Sequence, residues 1–326
     1  MKRGDIFCIR VPRARSSVIA AALMLLVLTG CKQHEQKLEE VRFGSFSVAV
    51  DYGAYLVAQQ KGWFDQALSA EGAKAHYEMF QSLPPINESL ATNRVDVVFE
   101  AAPPAIAGKS AGIDVKIVGV SCTVPVEIIV PTDSSVHRLQ DLKGKKIAVL
   151  AGTSSHYGLL KTLAKVGLGP SDFQVIDMTP PDAKNAFETG QVDAWSVWSP
   201  WIEQEEASGK GRPIPGGDAV VYSIFAARGG FIRDHPEVMK KIVAVMQQSK
   251  AWVQAHPDEA EAIVAKQMNL PVNIIQAAWP KQNWSAQINE GMITDLQAKA
   301  DFLKQSGFIR NPVNVRNGFI DNGFNQ

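Results

Sequence analysis

The sequence predicts an α/β protein. Short apolar runs that suit buried strands alternate with amphipathic runs at helical spacing, the alternation restarts once near Glu127, and the chain turns mainly helical from Asp234. Strands and helices alternating at this pitch read as βαβ units around a mostly parallel sheet. The composition permits a sizeable core: the 326 residues are 46% hydrophobic and 20% charged, ordinary for one large or two medium domains.

The elements follow in order. Phe46 to Val50 reads as a strand, followed by Asp51-Tyr52-Gly53-Ala54 and a run with apolar Tyr55, Leu56, Ala58 and Trp63. A strand over His76 to Phe80, a helix over Ile86 to Asn93 and a strand over Val95 to Phe99 come next. Ala101-Ala-Pro-Pro104 opens an Ala-rich helix, which leads to a strand at Val115 to Val120. The second series runs from a strand at Glu127 to Val130 through a helical turn at Leu139 to Leu142 to a strand at Lys145 to Leu150. Leu159, Leu160, Leu163 and Val166 then recur at helical spacing and stop at Gly167. A strand at Phe173 to Met178, a helix from Pro180 to Thr189 and a strand at Val192 to Val197 complete it. An apolar run, Val220 to Ala227, offers a return to the first series, and helices are expected at Pro236 to Ala255, Pro257 to Met268, Val272 to Ala278 and Glu290 to Gln305. No repeat or low-complexity segment interrupts them.

The N-terminus is an export signal. Lys2, Arg3, Arg10, Arg13 and Arg15 precede an apolar segment from Val18 to Leu28, too short to span a membrane as a mature helix. It ends at Leu28-Thr29-Gly30-Cys31, which resembles the bacterial lipobox; Cys31 is the expected acylated N-terminus, residues 1–30 the signal peptide and residues 31–40 a polar tether. The alternative is an ordinary signal peptide with an incidental cysteine. The whole chain balances 33 basic against 33 acidic residues, and loss of residues 1–30 leaves 28 against 32. That charge offers no support for nucleic acid as the partner. With Cys31 acylated only Cys122 remains as a thiol, so neither an intrachain disulfide nor a cysteine-based metal site is available. No cofactor is expected.

Ligands of open α/β sheets bind beyond the carboxyl ends of the strands, and that rule selects the candidate site. Asp51 and Tyr52 follow the first strand, Glu100 and Ala101 the Val95 strand, Ser121 the Val115 strand, and Trp195 and Trp198 lie toward the end of the Val192 strand. Thr153, Ser154, Ser155 and His156 sit between the Lys145 strand and its helix. A helix N-terminus with hydroxyls is a ready anion site, whereas capping alone needs only one of them. A serine-hydrolase elbow fails, because G-x-S-x-G requires Gly where His156 stands. For each tryptophan the alternative is core packing.

These landmarks carry a resemblance. Val48-Ala-Val50 with Gly62-Trp-Phe64, Asn93-Arg-Val-Asp96 before Pro103-Pro104, Leu139 to Gly144, Gly152 to His156, Thr179 to Ala183, and Gly190 to Trp195 with Val197-Trp198 resemble the substrate-binding proteins of ABC importers for aliphatic sulfonates, taurine and nitrate, nearest the sulfonate branch. The resemblance implies a type II periplasmic-binding-protein fold, with two lobes joined by two hinge crossovers: residues 41–124 and 222–326 in one lobe, 125–221 in the other. It implies a monomer that takes a small anionic ligand, an alkanesulfonate or aminoalkanesulfonate, by cleft closure and delivers it to an ABC permease and its ATPase. It carries the anion contact to Thr153, Ser154, Ser155 and His156 and the flanking aromatic to Trp195. Sulfonate binders often show Gly-Asp where Glu100-Ala101 stands, and neutral residues where Asp51-Tyr52 stands; if these acids face the cleft, the departures point to a ligand bearing a positive or donating group opposite its anion, and the alternative is that one or both pair with Arg228, Arg94 or backbone N–H groups outside the cleft.

Other classes share the fold: nitrate or bicarbonate binders, exported sensory modules, thiamine pyrimidine synthases and menaquinone-pathway lyases. The synthases carry a cysteine-rich motif absent here, and both enzyme classes are usually cytoplasmic, against the export signal.

Overall fold

The computed structural model describes residues 38–46, 49–80 and 83–324. The signal peptide, Cys31 and most of the tether expected from the sequence lie outside the described residues.

Among the described residues eight strands form one sheet, in the order Lys74–Phe80, Glu40–Phe46, Val97–Ala101, Gly211–Arg228, Val115–Pro131, Ala194–Trp198, Lys146–Val149 and Gln174–Asp177. The first series supplies β1 (Glu40–Phe46), β2 (Lys74–Phe80) and β3 (Val97–Ala101), and the second β5 (Lys146–Val149), β6 (Gln174–Asp177) and β7 (Ala194–Trp198). Between them lie two long strands, β4 (Val115–Pro131) and β8 (Gly211–Arg228), paired antiparallel. Pairing is parallel within each series and antiparallel wherever β4 or β8 takes part, so the sheet is mixed rather than mostly parallel. Phe99 of β3 faces Phe225 of β8, whereas Ile128 of β4 faces Ser196 of β7. β8 thus joins the first series through its C-terminal half and β4 the second through its C-terminal half, and the ladder between the two long strands links the series.

Twelve α-helices accompany the sheet among the described residues. They are α1 (Gly53–Gln60), α2 (Trp63–Ser69), α3 (Leu83–Ala91), α4 (Ala102–Ser110), α5 (Ser154–Ala164), α6 (Pro180–Glu188), α7 (Trp201–Ala207), α8 (Gly229–Asp234), α9 (Pro236–Ala255), α10 (Pro257–Met268), α11 (Val272–Ala278) and α12 (Glu290–Gln305). The four C-terminal helices match the expected spans because Pro at the first turns of α9 and α10, and Asn289 capping Met292 N–H at 2.9 Å, punctuate the sequence clearly.

Two strand expectations are corrected. The strand read at Phe46 to Val50 lies earlier: β1 ends at Phe46, and Val50 begins a 3-10 turn. Ala49 and Val50 are buried, and an apolar run without a period does not distinguish a buried strand from a buried turn. The separate strands at Val115 and Glu127 are one strand, whose ladder shifts register between Val120 and Cys122 and between Glu127 and Ile129. Such bulges let a strand bend while pairing continues. Helix α7 and the N-terminal half of β8 escaped the sequence reading.

Two glycines permit close packing. A Cβ on Gly119 of β4 would stand 1.9 Å from the Phe225 ring, and one on Gly158 of α5 would stand 2.3 Å from Val126 Cγ2. The second contact seats α5 directly on β4, holding the N-terminus of this helix toward the centre of the sheet.

Candidate functional site

The carboxyl ends of β1, β3 and β7 and the turn beyond β5 meet around one cavity of about 30 Å³. From the first series come Phe46, Ala49, Asp51, Tyr52, Ala101 and Pro104, and from the second Thr153, Ser154 and Trp198, with Val124 of β4 between them. Three helical N-termini contribute to the lining: the 3-10 turn Val50–Tyr52 preceded by Ala49, α4 preceded by Ala101, and α5 preceded by Thr153. None has a side-chain cap. Thr153 turns its hydroxyl back to donate to the Leu150 carbonyl at 2.7 Å, so the first N–H groups of α5 are left without it. Uncapped N–H groups and a positive dipole end favour an anion at that wall.

The opposite wall is acidic. Asp51 is buried, and desolvation raises its carboxyl to about 6, with Ser223 and the Asp51 backbone N–H opposing the shift. Glu100 is 1% exposed; neither carboxyl oxygen has a hydrogen-bond partner, and burial pushes it up to about 8. The Tyr52 phenol is held well above its ordinary range by burial and then by the nearby charges of Asp51, Glu100 and Cys122. At neutral pH this wall therefore presents one largely ionised carboxylate, that of Asp51, whereas Glu100 lies within β3 rather than beyond it, is not among the lining residues, and is a protonated acid buried near Tyr52. No Lys or Arg lines the cavity among the described residues. The cations that compete for these carboxylates are engaged elsewhere: Arg228 pairs with Asp96 at 2.8 Å and Arg94 with Glu78 at 3.2 Å.

Other expected residues take different places. Trp195 is 1% exposed and packs between Phe187 and Trp201, with ring centroids 6.1 and 6.0 Å away, so the aromatic at the cavity is Trp198, set edge-on to Phe46 at 5.7 Å. The alternation of β7 separates the two: residues three apart on a strand face opposite ways. His156 is not among the lining residues. Its Nδ1 accepts from Gly152 N–H at 3.3 Å, its ring lies against Phe308, and desolvation lowers its pKa. Ser121 and Ser155 are fully buried, their hydroxyls unpartnered, outside the lining, while the Ser155 carbonyl accepts from Ser196 Oγ at 3.0 Å. Phe46, Ala49, Pro104 and Val124 are lining residues that the sequence reading missed. Phe46 was hidden by the misplaced strand, and Val124 by the break assumed in β4.

A mixed sheet of two βαβ series, with a recess where their strand ends face each other, is the architecture of periplasmic binding proteins. Residues 49–260 match the NMT1/THI5-like family, and the chain belongs to it. A Bacillus subtilis (strain 168) protein named for binding aliphatic sulfonates is 30% identical over 95% of this chain and 96% of its own length. An Escherichia coli (strain K12) protein named likewise is 27% identical over 75% of this chain and 78% of its own. The taurine-binding periplasmic protein of the same organism is 24% identical over 57% of this chain and 60% of its own. Among solved structures, the alkanesulfonate-binding protein SsuA from Xanthomonas axonopodis pv. citri bound to MOPS superposes with a TM-score of 0.78 at 23% identity, covering 88% of this chain and 99% of that one. The desulfurization enzyme DSZB shares the fold at a TM-score of 0.62 and 16% identity, covering 86% and 96% of the two chains.

Proposed function

We propose that this protein is the exported solute-binding subunit of an ABC importer, and that it captures an aminoalkanesulfonate of the taurine type. The observation that carries the ligand is the asymmetry of the cavity: uncapped N–H groups of α5 and Ser154 on one wall, Asp51 with Glu100 behind it on the other. A sulfonate suits the first wall, because it stays ionised and is well held by hydrogen bonds without a counter-cation. An ammonium suits the second, where a carboxylate left unpaired in a closed site would repel a plain anion. The names of the most similar relatives agree with the sulfonate, and their being binding proteins favours capture over catalysis. A cavity of about 30 Å³ accommodates about two water-sized groups, so a ligand of this size enters only if the lobes, residues 41–124 with 222–326 against 125–221, part and close about β4 and β8.

A thermal-shift panel of alkanesulfonates, taurine, sulfate esters, nitrate and bicarbonate tests the class, since a ligand of the folded state raises the midpoint by mass action. Taurine is expected to bind more tightly than propanesulfonate, which lacks the amine, by about tenfold or more. Asp51→Asn should erase that preference, and Ser154→Ala should weaken both ligands. Equal binding of the two sulfonates by the parent would remove the amine from the reading, and preference for nitrate or bicarbonate would replace the sulfonate.

Retention at the membrane by lipid on Cys31, with delivery to a permease, completes the proposal. Cys31→Ser is expected to abolish processing by lipoprotein signal peptidase and the labelling of the mature protein by radioactive palmitate. A mutant processed and labelled like the parent would dispose of the anchor and leave the binding site unaffected.

A further inference from the structure

A second cavity, of about 330 Å³, lies between β4, β8, α9 and the loop that precedes α12. It shares no lining residue with the first. Its central group is Lys250, whose ammonium donates to the main-chain carbonyls of Val120 at 2.7 Å and Ala286 at 2.6 Å. Among the described residues no carboxylate lies within ion-pair distance of it, and no acid lines the cavity. An ammonium has three N–H donors, and two neutral carbonyls leave both the third donor and the positive charge uncompensated. Burial lowers this ammonium to about 8, so it remains mostly charged at neutral pH.

The remaining polar lining is neutral. Gln247, Gln254, Ser285 and Gln287 contribute, and the Gln254 amide is already committed, donating to the Lys250 carbonyl at 3.0 Å and accepting from Ser285 Oγ at 3.1 Å. Trp284 is 6% exposed, lines the same cavity, and has an indole N–H with no acceptor. Phe225 and Ile288 give the cavity apolar walls. A partly buried cation without its anion, lining the same cavity as an unused donor and apolar surface, defines the complement of a small organic acid.

We propose that this cavity is a second binding site, taking a small carboxylate or sulfonate with a short apolar body against Lys250 and Trp284. It is independent of the ligand assigned to the first cavity. The anion supplies the missing counter-charge, accepts from the third ammonium N–H, and draws the Trp284 indole N–H into a hydrogen bond on repacking.

The test is nitrogen-15 NMR of the indole N–H groups, with the Trp284 signal assigned by its loss in Trp284→Phe. Sodium acetate, methanesulfonate and benzoate are titrated at constant ionic strength. At least one is expected to shift the Trp284 signal saturably, Lys250→Met should weaken that response about tenfold or more, and Trp198→Ala should leave it in place. No saturable shift with any probe, a shift retained in Lys250→Met, or one abolished by Trp198→Ala overturns the proposal. Should Lys250→Met fail to fold, Ala251→Leu fills the cavity while retaining the ammonium; it should abolish the response, and an unchanged response overturns the site equally.

Discussion

Glu100→Gln is expected to stabilise the folded protein by about 3 kcal/mol at pH 7. The carboxyl is buried without a hydrogen-bond partner and titrates near 8, against an ordinary value of 4.5. Between these values the folded chain holds a proton that the unfolded chain releases. Stability contributed by the protonated form is therefore complete below pH 4.5 and is lost as pH rises to 8. Glutamine has the shape of the protonated acid and no proton to lose, so the variant and the parent should converge near pH 4.5 and separate steadily above it. Urea unfolding at several pH values from 4.5 to 8 measures the difference. Parallel stability profiles for the two proteins would show that Glu100 is not held protonated in the fold. Asp51, raised to about 6 from 3.8, adds a shallower loss at lower pH in both.

Asp96→Ala should cost about 3 to 5 kcal/mol of folding free energy and leave ligand affinity of the folded molecule unchanged. The Asp96 carboxylate is almost wholly buried and accepts from Arg42 N at 3.0 Å, Arg42 Nε at 2.9 Å, Arg42 Nη2 at 2.9 Å and Arg228 Nη2 at 2.8 Å. It joins β1, the start of β3 and the end of β8. Deleting it strands two partly buried guanidinium groups and an Arg42 backbone N–H, a larger penalty than the pair contributes when intact. The cluster sits at the end of these strands remote from the cavity, which Phe46 and Ala101 line at the other end. Urea midpoints and calorimetric titration separate the two effects. A loss below about 1 kcal/mol would make the cluster a surface-type pair, and a large loss of affinity would mean that the two strand ends are coupled.

The candidate site was legible wherever it follows directly from strand ends. Asp51, Tyr52, Ala101, Thr153, Ser154 and Trp198 all line the cavity, because each stands at or just beyond the end of a strand where the chain leaves the sheet. The errors arise where local pattern is silent about facing. Trp195 and Trp198 look alike in sequence, and only the orientation of β7 against α7 buries the one and presents the other. His156 looks like part of a run of donors, yet the helical turn swings its ring onto Phe308.

Sequence alone determined the alternation of elements, the restart near Glu127 and the spans of the C-terminal helices, because hydrophobic period, proline, glycine and caps act over a few residues and are read locally. Tertiary structure alone decided that β4 and β8 pair with each other and so link the two series, that Arg228 serves Asp96 rather than Asp51 or Glu100, and that Lys250 stands in a recess without an acid. These outcomes depend on contacts between residues far apart in the chain, where burial and the competition for partners set charge state and orientation, and no local pattern records which partner wins.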